Sequence, residues 1–346
     1  MRHLMSKNTL ATAFAAALLA FAGVASAQEK APEPAKIPAD SPVKAKGKKV
    51  PMLKAKPVSS KVKGKKIKVK PGKKGHIVSK KSKKRANRYP HRRPKTSPEQ
   101  MKIPAMGQIP FEPGERLVFK VRMLNAEAAD VILGVGAPYE LMGRNVVPLV
   151  GWMRSSEFLA KFYPIDDKVS VLVEESNFLP LKTDFEIKEN GKDLRYLSVY
   201  DPKKSVVRST RVKNGDKVHP LRRTHNYVAG PYDALSMLFA LRRMDLKPGM
   251  KFSFYAWDGR RERFVTISVD KQEKVWTPAG WFETHKIDIE TKITGGFIKK
   301  ADLDKAPQKG TLWLGLDPHR TPVKLSSPTK LGEASAVLVK QYKEKV

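Results

Sequence analysis

Leu117-Val118-Phe119-Lys120-Val121-Arg122-Met123 is the stretch that decides the fold. Leu117, Phe119, Val121 and Met123 alternate with Val118, Lys120 and Arg122, which sends the first set to one face of an extended chain and the second to the other. That is the pattern of a strand with one side buried.

Working outward, the same reading recurs at short intervals. Val169 to Glu174, Asp184 to Lys188 and Arg195 to Tyr200 follow, with Glu189-Asn190-Gly191-Lys192 as a hairpin turn. Val206 to Val212 leads into a second turn signal, Asn214-Gly215. Phe252 to Trp257, Arg263 to Val269, Lys271 to Trp276, Trp281 to Thr291, Thr311 to Leu316, Thr321 to Leu325 and Ala334 to Tyr342 complete the series. The fold class expected is mainly β, an antiparallel meander forming either a closed barrel or a strongly curved sheet. Pro322 inside a strand-like run marks an edge or a bulge, and Asp317 and Arg320 are placed to close the preceding turn as an ion pair.

One helix is expected, from Tyr232 to Met244. Ala234, Leu238 and Leu241 form a stripe that Leu235, Met237 and Met244 widen, Asp233 stands at the positive end and Arg242 and Arg243 at the negative end. Its apolar face is expected to plug or cover the concave side of the sheet. A charge at Leu238 is therefore expected to be intolerable, and Ser236→Ala to be silent.

The N-terminal third has a different composition. Arg2 and Lys7, an apolar run from Leu10 to Val24 and the small residues Ala25-Ser26-Ala27 read as a signal peptide spanning residues 1–27, with a run too short for the roughly 20 residues of a membrane span. From Gln28 to Pro110, 26 Lys and Arg stand against four acids, a net charge of +22. Such a segment cannot bury enough apolar surface to offset its ordering entropy, so residues 28–108 are expected to form a disordered basic linker. Its cations are densest at Lys61, Lys63, Lys65 and Lys66, then at Lys80, Lys81, Lys83, Lys84 and Arg85, then at Arg92 and Arg93. Behind a signal peptide, nucleic acid is not the target expected for them. Anionic cell-envelope polymer or lipid head groups are the partners expected, at about 1 kcal/mol per cation near the surface. The remaining residues, 109–346, form the β domain and hold all five Trp and eight of the nine Tyr.

Several motifs then carry a family resemblance. Asp233-Ala234-Leu235-Ser236 through Leu241-Arg242, Leu246-Lys247-Pro248-Gly249, Trp257-Asp258-Gly259, Thr277-Pro278-Ala279-Gly280-Trp281-Phe282-Glu283-Thr284, Trp313-Leu314-Gly315-Leu316-Asp317 and Arg320-Thr321-Pro322-Val323 resemble, in order and spacing, the exported bacterial family known as domain of unknown function 3108. The resemblance covers residues 109 to 342, except for Gly134 to Phe162, and does not extend to the basic tract. It implies a periplasmic antiparallel β domain of Gram-negative bacteria with no agreed activity, catalytic residue or ligand.

Chemistry-bearing patterns are absent from the sequence: no nucleophile elbow, no His-Glu-x-x-His, no Walker loop and no dinucleotide fingerprint. Without Cys there is no thiol chemistry and no lipid-modified cysteine. Asp302-Leu303-Asp304 lacks the turning Gly of a calcium loop, and Asp166-Asp167 has the composition of a solvated turn. No metal, cofactor or catalytic residue is assigned, and the protein is expected not to be an enzyme. Thr277-Pro278-Ala279-Gly280 suits a type II-like turn. Tyr255, Trp257, Trp276, Trp281 and Trp313 are the candidates for a ligand-stacking surface, with core packing as the competing role. Two functions follow. One is a non-catalytic envelope factor whose tract adheres to anionic polymer while the β domain binds a glycan or protein; the alternative is a periplasmic carrier of a lipid or lipid-linked intermediate in an apolar cavity.

Overall fold

A computed structural model describes residues 101–124, 126–215, 221–227, 230–329 and 332–345. The signal peptide and the tract cations from Lys61 to Arg93 lie outside the described residues.

Among the described residues one antiparallel sheet contains fifteen strands. In chain order they are β1 (Glu115–Met123), β2 (Ala126–Val135), β3 (Tyr139–Leu141), β4 (Arg144–Ser155), β5 (Asp166–Glu174), β6 (Pro180–Glu189), β7 (Lys192–Asp201), β8 (Val206–Lys213), β9 (Leu221–Asn226), β10 (Lys251–Trp257), β11 (Arg261–Thr277), β12 (Gly280–Gly296), β13 (Gln308–Gly315), β14 (Pro322–Thr329) and β15 (Gly332–Lys343). Helices are α1 (Glu157–Ala160), α2 (Ala234–Arg243) and α3 (Lys300–Leu303). The hydrogen-bonded path runs from β10 through β15, closes onto β1, and continues through β2 and β4 to β9. Since β9 and β10 do not pair, the sheet is strongly curved and not a closed barrel.

β1 confirms the deciding stretch, with Leu117, Phe119, Val121 and Met123 buried. Asn190-Gly191 and Asn214-Gly215 form the expected tight turns, all four residues at positive φ. β2, β3, β4 and β9 go beyond the strands read from sequence. Arg263 to Trp276, read as two strands, lies within one 17-residue strand, β11, with a bulge between Val269 and Gln272. Pro322 lies at a register shift, inside the sheet between β13 and β15. The expected Asp317–Arg320 pair does not form: Asp317 instead accepts from the backbone N–H of His319 and Thr321 and from the Thr321 hydroxyl, while Arg320 donates to the Met244 carbonyl. In the Thr277–Gly280 turn the positive φ falls on Gly280, the fourth residue, so the turn is not type II.

α2 is more enclosed than its stripe suggests. Eight of its ten residues are buried, as befits a helix surrounded by core. Asp233 caps it, its Oδ1 accepting from Leu235 N and Ser236 N, and Ser236 Oγ accepts from Asp233 N. Ser236 therefore has a structural role that the sequence reading denied it. At the other end Arg242 is buried among apolar neighbours because Glu115 takes it bidentately, at 2.5 and 2.9 Å, and the carbonyls of His319 and Arg320 accept from it. Residues assigned by sequence to the linker also pack here: Ile103 and Met106 lie on the core, and Gly107 N donates to the Arg243 carbonyl at 2.8 Å.

Candidate functional site

The Trp257-Asp258-Gly259 motif ends β10 and turns into β11. Gly259 takes φ +82, and a Cβ there would stand 3.0 Å from the Tyr196 Cβ, so the turn packs tightly against β7. Asp258 holds the turn by accepting from Arg260 N and Arg261 N through Oδ1 and from Arg263 Nε, at 3.1 Å, through Oδ2. Trp257 Nε1 donates to Ser198 and Ser209, and the His225 ring stacks on the indole at 5.0 Å. His225 Nε2 stands 3.1 Å from Glu262 Oε2, whose other oxygen accepts from Thr294. These polar groups are at most 7% exposed, so the motif is an internal rivet between the two ends of the sheet path.

The opposite face of β10 to β14 is open. Phe252, Phe254, Val265, Ile267, Ile287 and Leu312 turn inward to the core, so Ser253, Phe264, Thr266, Ser268, Asp288 and Thr311 turn outward together. Curvature gathers them into a trough of about 580 Å³, completed by Lys251, Glu290, Lys309 and Pro328. Hydroxyls pair across strands, Ser253 with Thr266 at 3.1 Å and Thr311 donating to Asp288 at 3.0 Å. The trough thus presents hydroxyls, two ammonium and two carboxylate groups, with Ser253 and Phe264 buried in its floor.

The five candidate stacking residues do not form one surface. Trp257 is in the rivet, Trp313 is buried with Nε1 donating to Glu273 at 2.5 Å, and Tyr255 is buried against Phe264 at 5.3 Å, where it backs the trough. Only Trp276 and Trp281 are exposed, as a cross-strand pair at the tip of the β11–β12 hairpin. Asp166-Asp167 is also not a plain solvated turn. Burial first, and then the neighbouring Glu189 carboxylate, push Asp167 up to about 8, and burial raises Glu189 as well, with the Tyr163 hydroxyl donating to it. Among the described residues no group of three or more His, Asp or Glu is spaced to hold a metal ion. Asp302 of the Asp-Leu-Asp run is occupied by Lys299 N, Arg260 and Lys305.

Comparison with known proteins agrees with the motif reading. A family model described as protein of unknown function (DUF3108) matches residues 118–339. No curated protein matches the chain. Similar solved structures include a β-barrel-like protein of domain of unknown function DUF1849 from Brucella abortus, 10% identical over 67% of this chain and 98% of that one, with a TM-score of 0.42. A Bacteroides fragilis protein described as exported and of YmcC-like fold is 11% identical over 69% of this chain and all of its own, with a TM-score of 0.32. A Parabacteroides distasonis protein described as a lipoprotein is 12% identical over 70% of this chain and all of its own, also with a TM-score of 0.32.

Proposed function

The chain belongs to the DUF3108 family, and from that premise and its geometry we propose a non-catalytic periplasmic envelope protein that binds a hydroxyl-rich glycan in the β10–β14 trough. The carrying observation is the paired hydroxyl and carboxylate lining of that trough, set on strands whose other face is the core. Fixed donors and acceptors of both charge signs along the trough suit the closely spaced hydroxyl groups of a sugar. The basic tract supplies a second, less selective attachment to anionic envelope polymer. Export rests on the signal-peptide pattern of residues 1–27.

The lipid-carrier alternative has less support. α2 and the core side chains around it lie on the inward face of the sheet, where an acyl chain would have to displace them.

The test is calorimetric titration of the mature chain with soluble oligosaccharides released from envelope glycan by muramidase. Thr266→Val, nearly isosteric, and Asp288→Asn are each expected to weaken binding roughly fivefold to tenfold, the effect of one lost hydrogen bond. Equal affinity for wild type and both variants sinks the trough as the site.

A further inference from the structure

Two hairpins extend beyond the same end of the sheet. β1 begins at this end with Glu115, paired with Lys343, and the register carries the end across the sheet: Pro322 opposite Leu314, Gly315 opposite Thr284, and on the other side Val135 opposite Leu149. Beyond Thr284 lies the β11–β12 tip with Trp276 and Trp281, 59% and 64% exposed. Beyond Leu149 lies the β3–β4 tip with Tyr139, Leu141 and Met142 at 48%, 37% and 95%. Six strand spacings separate them, about 29 Å along the sheet and less across its curve.

The β3–β4 tip is built against fold economy. Met142 and Gly143 have φ of 52° and 74°, a turn whose first position favours Asn or Asp. A methionine there takes the left-handed conformation at a cost and gives its side chain wholly to solvent. The described chain also begins beside this end, since Gly107 is bonded to the last residue of α2, Arg243, and Glu112 to Lys343. Residues 28–100, net +21, precede this segment in the sequence.

We infer that this end of the sheet docks onto an anionic lipid surface, with the two hairpin tips entering the head-group region. Trp and Tyr suit the membrane interface, Leu141 and Met142 suit the acyl boundary, and the attached polycation supplies attraction to anionic head groups. The proposal uses only the charge of the tract and stands whether or not the trough binds a glycan.

The experiment uses the mature chain with vesicles of phosphatidylcholine containing 30% phosphatidylglycerol, at low salt, where the tract attracts the surface, and at a salt concentration that screens it. Lipids brominated near the head group are expected to quench tryptophan emission, and Trp276→Phe/Trp281→Phe to lose that quenching while still binding. Leu141→Ser/Met142→Ser and Trp276→Ser/Trp281→Ser are each expected to weaken binding roughly tenfold. Phe158→Ser/Phe162→Ser, which alters an exposed pair at the opposite end, is the control expected to bind as wild type. Binding without quenching, binding lost only in the Phe158/Phe162 variant, or no binding at low salt overturns the proposal. So does quenching abolished by competing soluble glycan, which makes the Trp pair a sugar platform.

Discussion

At the residue scale, the buried ionisable groups decide what can change without loss of the fold. Asp258 is 3% exposed, satisfies two backbone N–H groups and is paired with the buried guanidinium groups of Arg263 and Arg261, so Asp258→Ala removes the carboxylate that balances them. The expected cost is about 3–5 kcal/mol, read from urea unfolding. Ser236→Ala removes half of a capping box and is expected to cost about 1 kcal/mol. The Asp167–Glu189 pair gives a pH dependence. Its folded state holds a proton that the unfolded chain releases near pH 4, so its contribution is full below that and is lost as pH rises through about 8. Asp233, raised to about 6 by burial, adds its own loss below the upper part of this window. Between pH 6.5 and 8.5 the melting temperature of the wild type is therefore expected to fall, and that of Asp167→Asn to fall less, since burial still raises Glu189. An equal fall in both would mean that the pair does not share a proton.

At the element scale, what was legible follows from where the apolar residues stand. β1, β5, β6 and β12 keep mostly polar residues on one face, so period two survives in their sequence. β4 does not, because Val146, Val150 and Trp152 occupy the face opposite Val147, Leu149 and Met153, and Pro148 interrupts the run. α2 was legible as a helix but not as a nearly all-round buried one, since Arg242 is matched by Glu115, 127 residues away in sequence. The trough was illegible for a related reason: Thr266, Asp288 and Thr311 each resemble the solvated side of an ordinary strand, and only curvature brings them together. The enclosed position of α2 gives Leu238→Asp a definite outcome. An unpaired carboxylate among Phe239, Leu241 and the surrounding strands is expected to abolish cooperative unfolding. A cooperative transition in that variant would place the Leu238 side outside the core.

At the scale of the whole molecule, the boundary between tract and domain lies earlier than composition suggested. Ile103, Met106 and Ile109 pack on the core, and Asp245 N and Gly107 N bond across to Ala105 O and Arg243 O. A chain beginning at Ile109 is thus expected to lose about 1–3 kcal/mol, whereas one beginning at Met101 keeps the melting temperature of the mature protein. That difference supplies the comparison for adhesion. A polycation on a polyanion gains affinity from released counterions, so log affinity falls linearly with log salt with a slope set by the number of cations engaged. The mature chain is expected to sediment with lipid-free envelope polymer at low salt and to detach steeply as salt rises. The chain from Met101, with its remaining charge dispersed over the domain, is expected to bind weakly and with a shallow slope. Rearranging the order of residues within 28–100 should leave the steep slope unchanged, because attraction at this range depends on charge density. A slope that collapses on rearrangement would mean that the tract reads a specific partner, and a steep slope kept by the shortened chain would move the adhesive charge into the β domain itself.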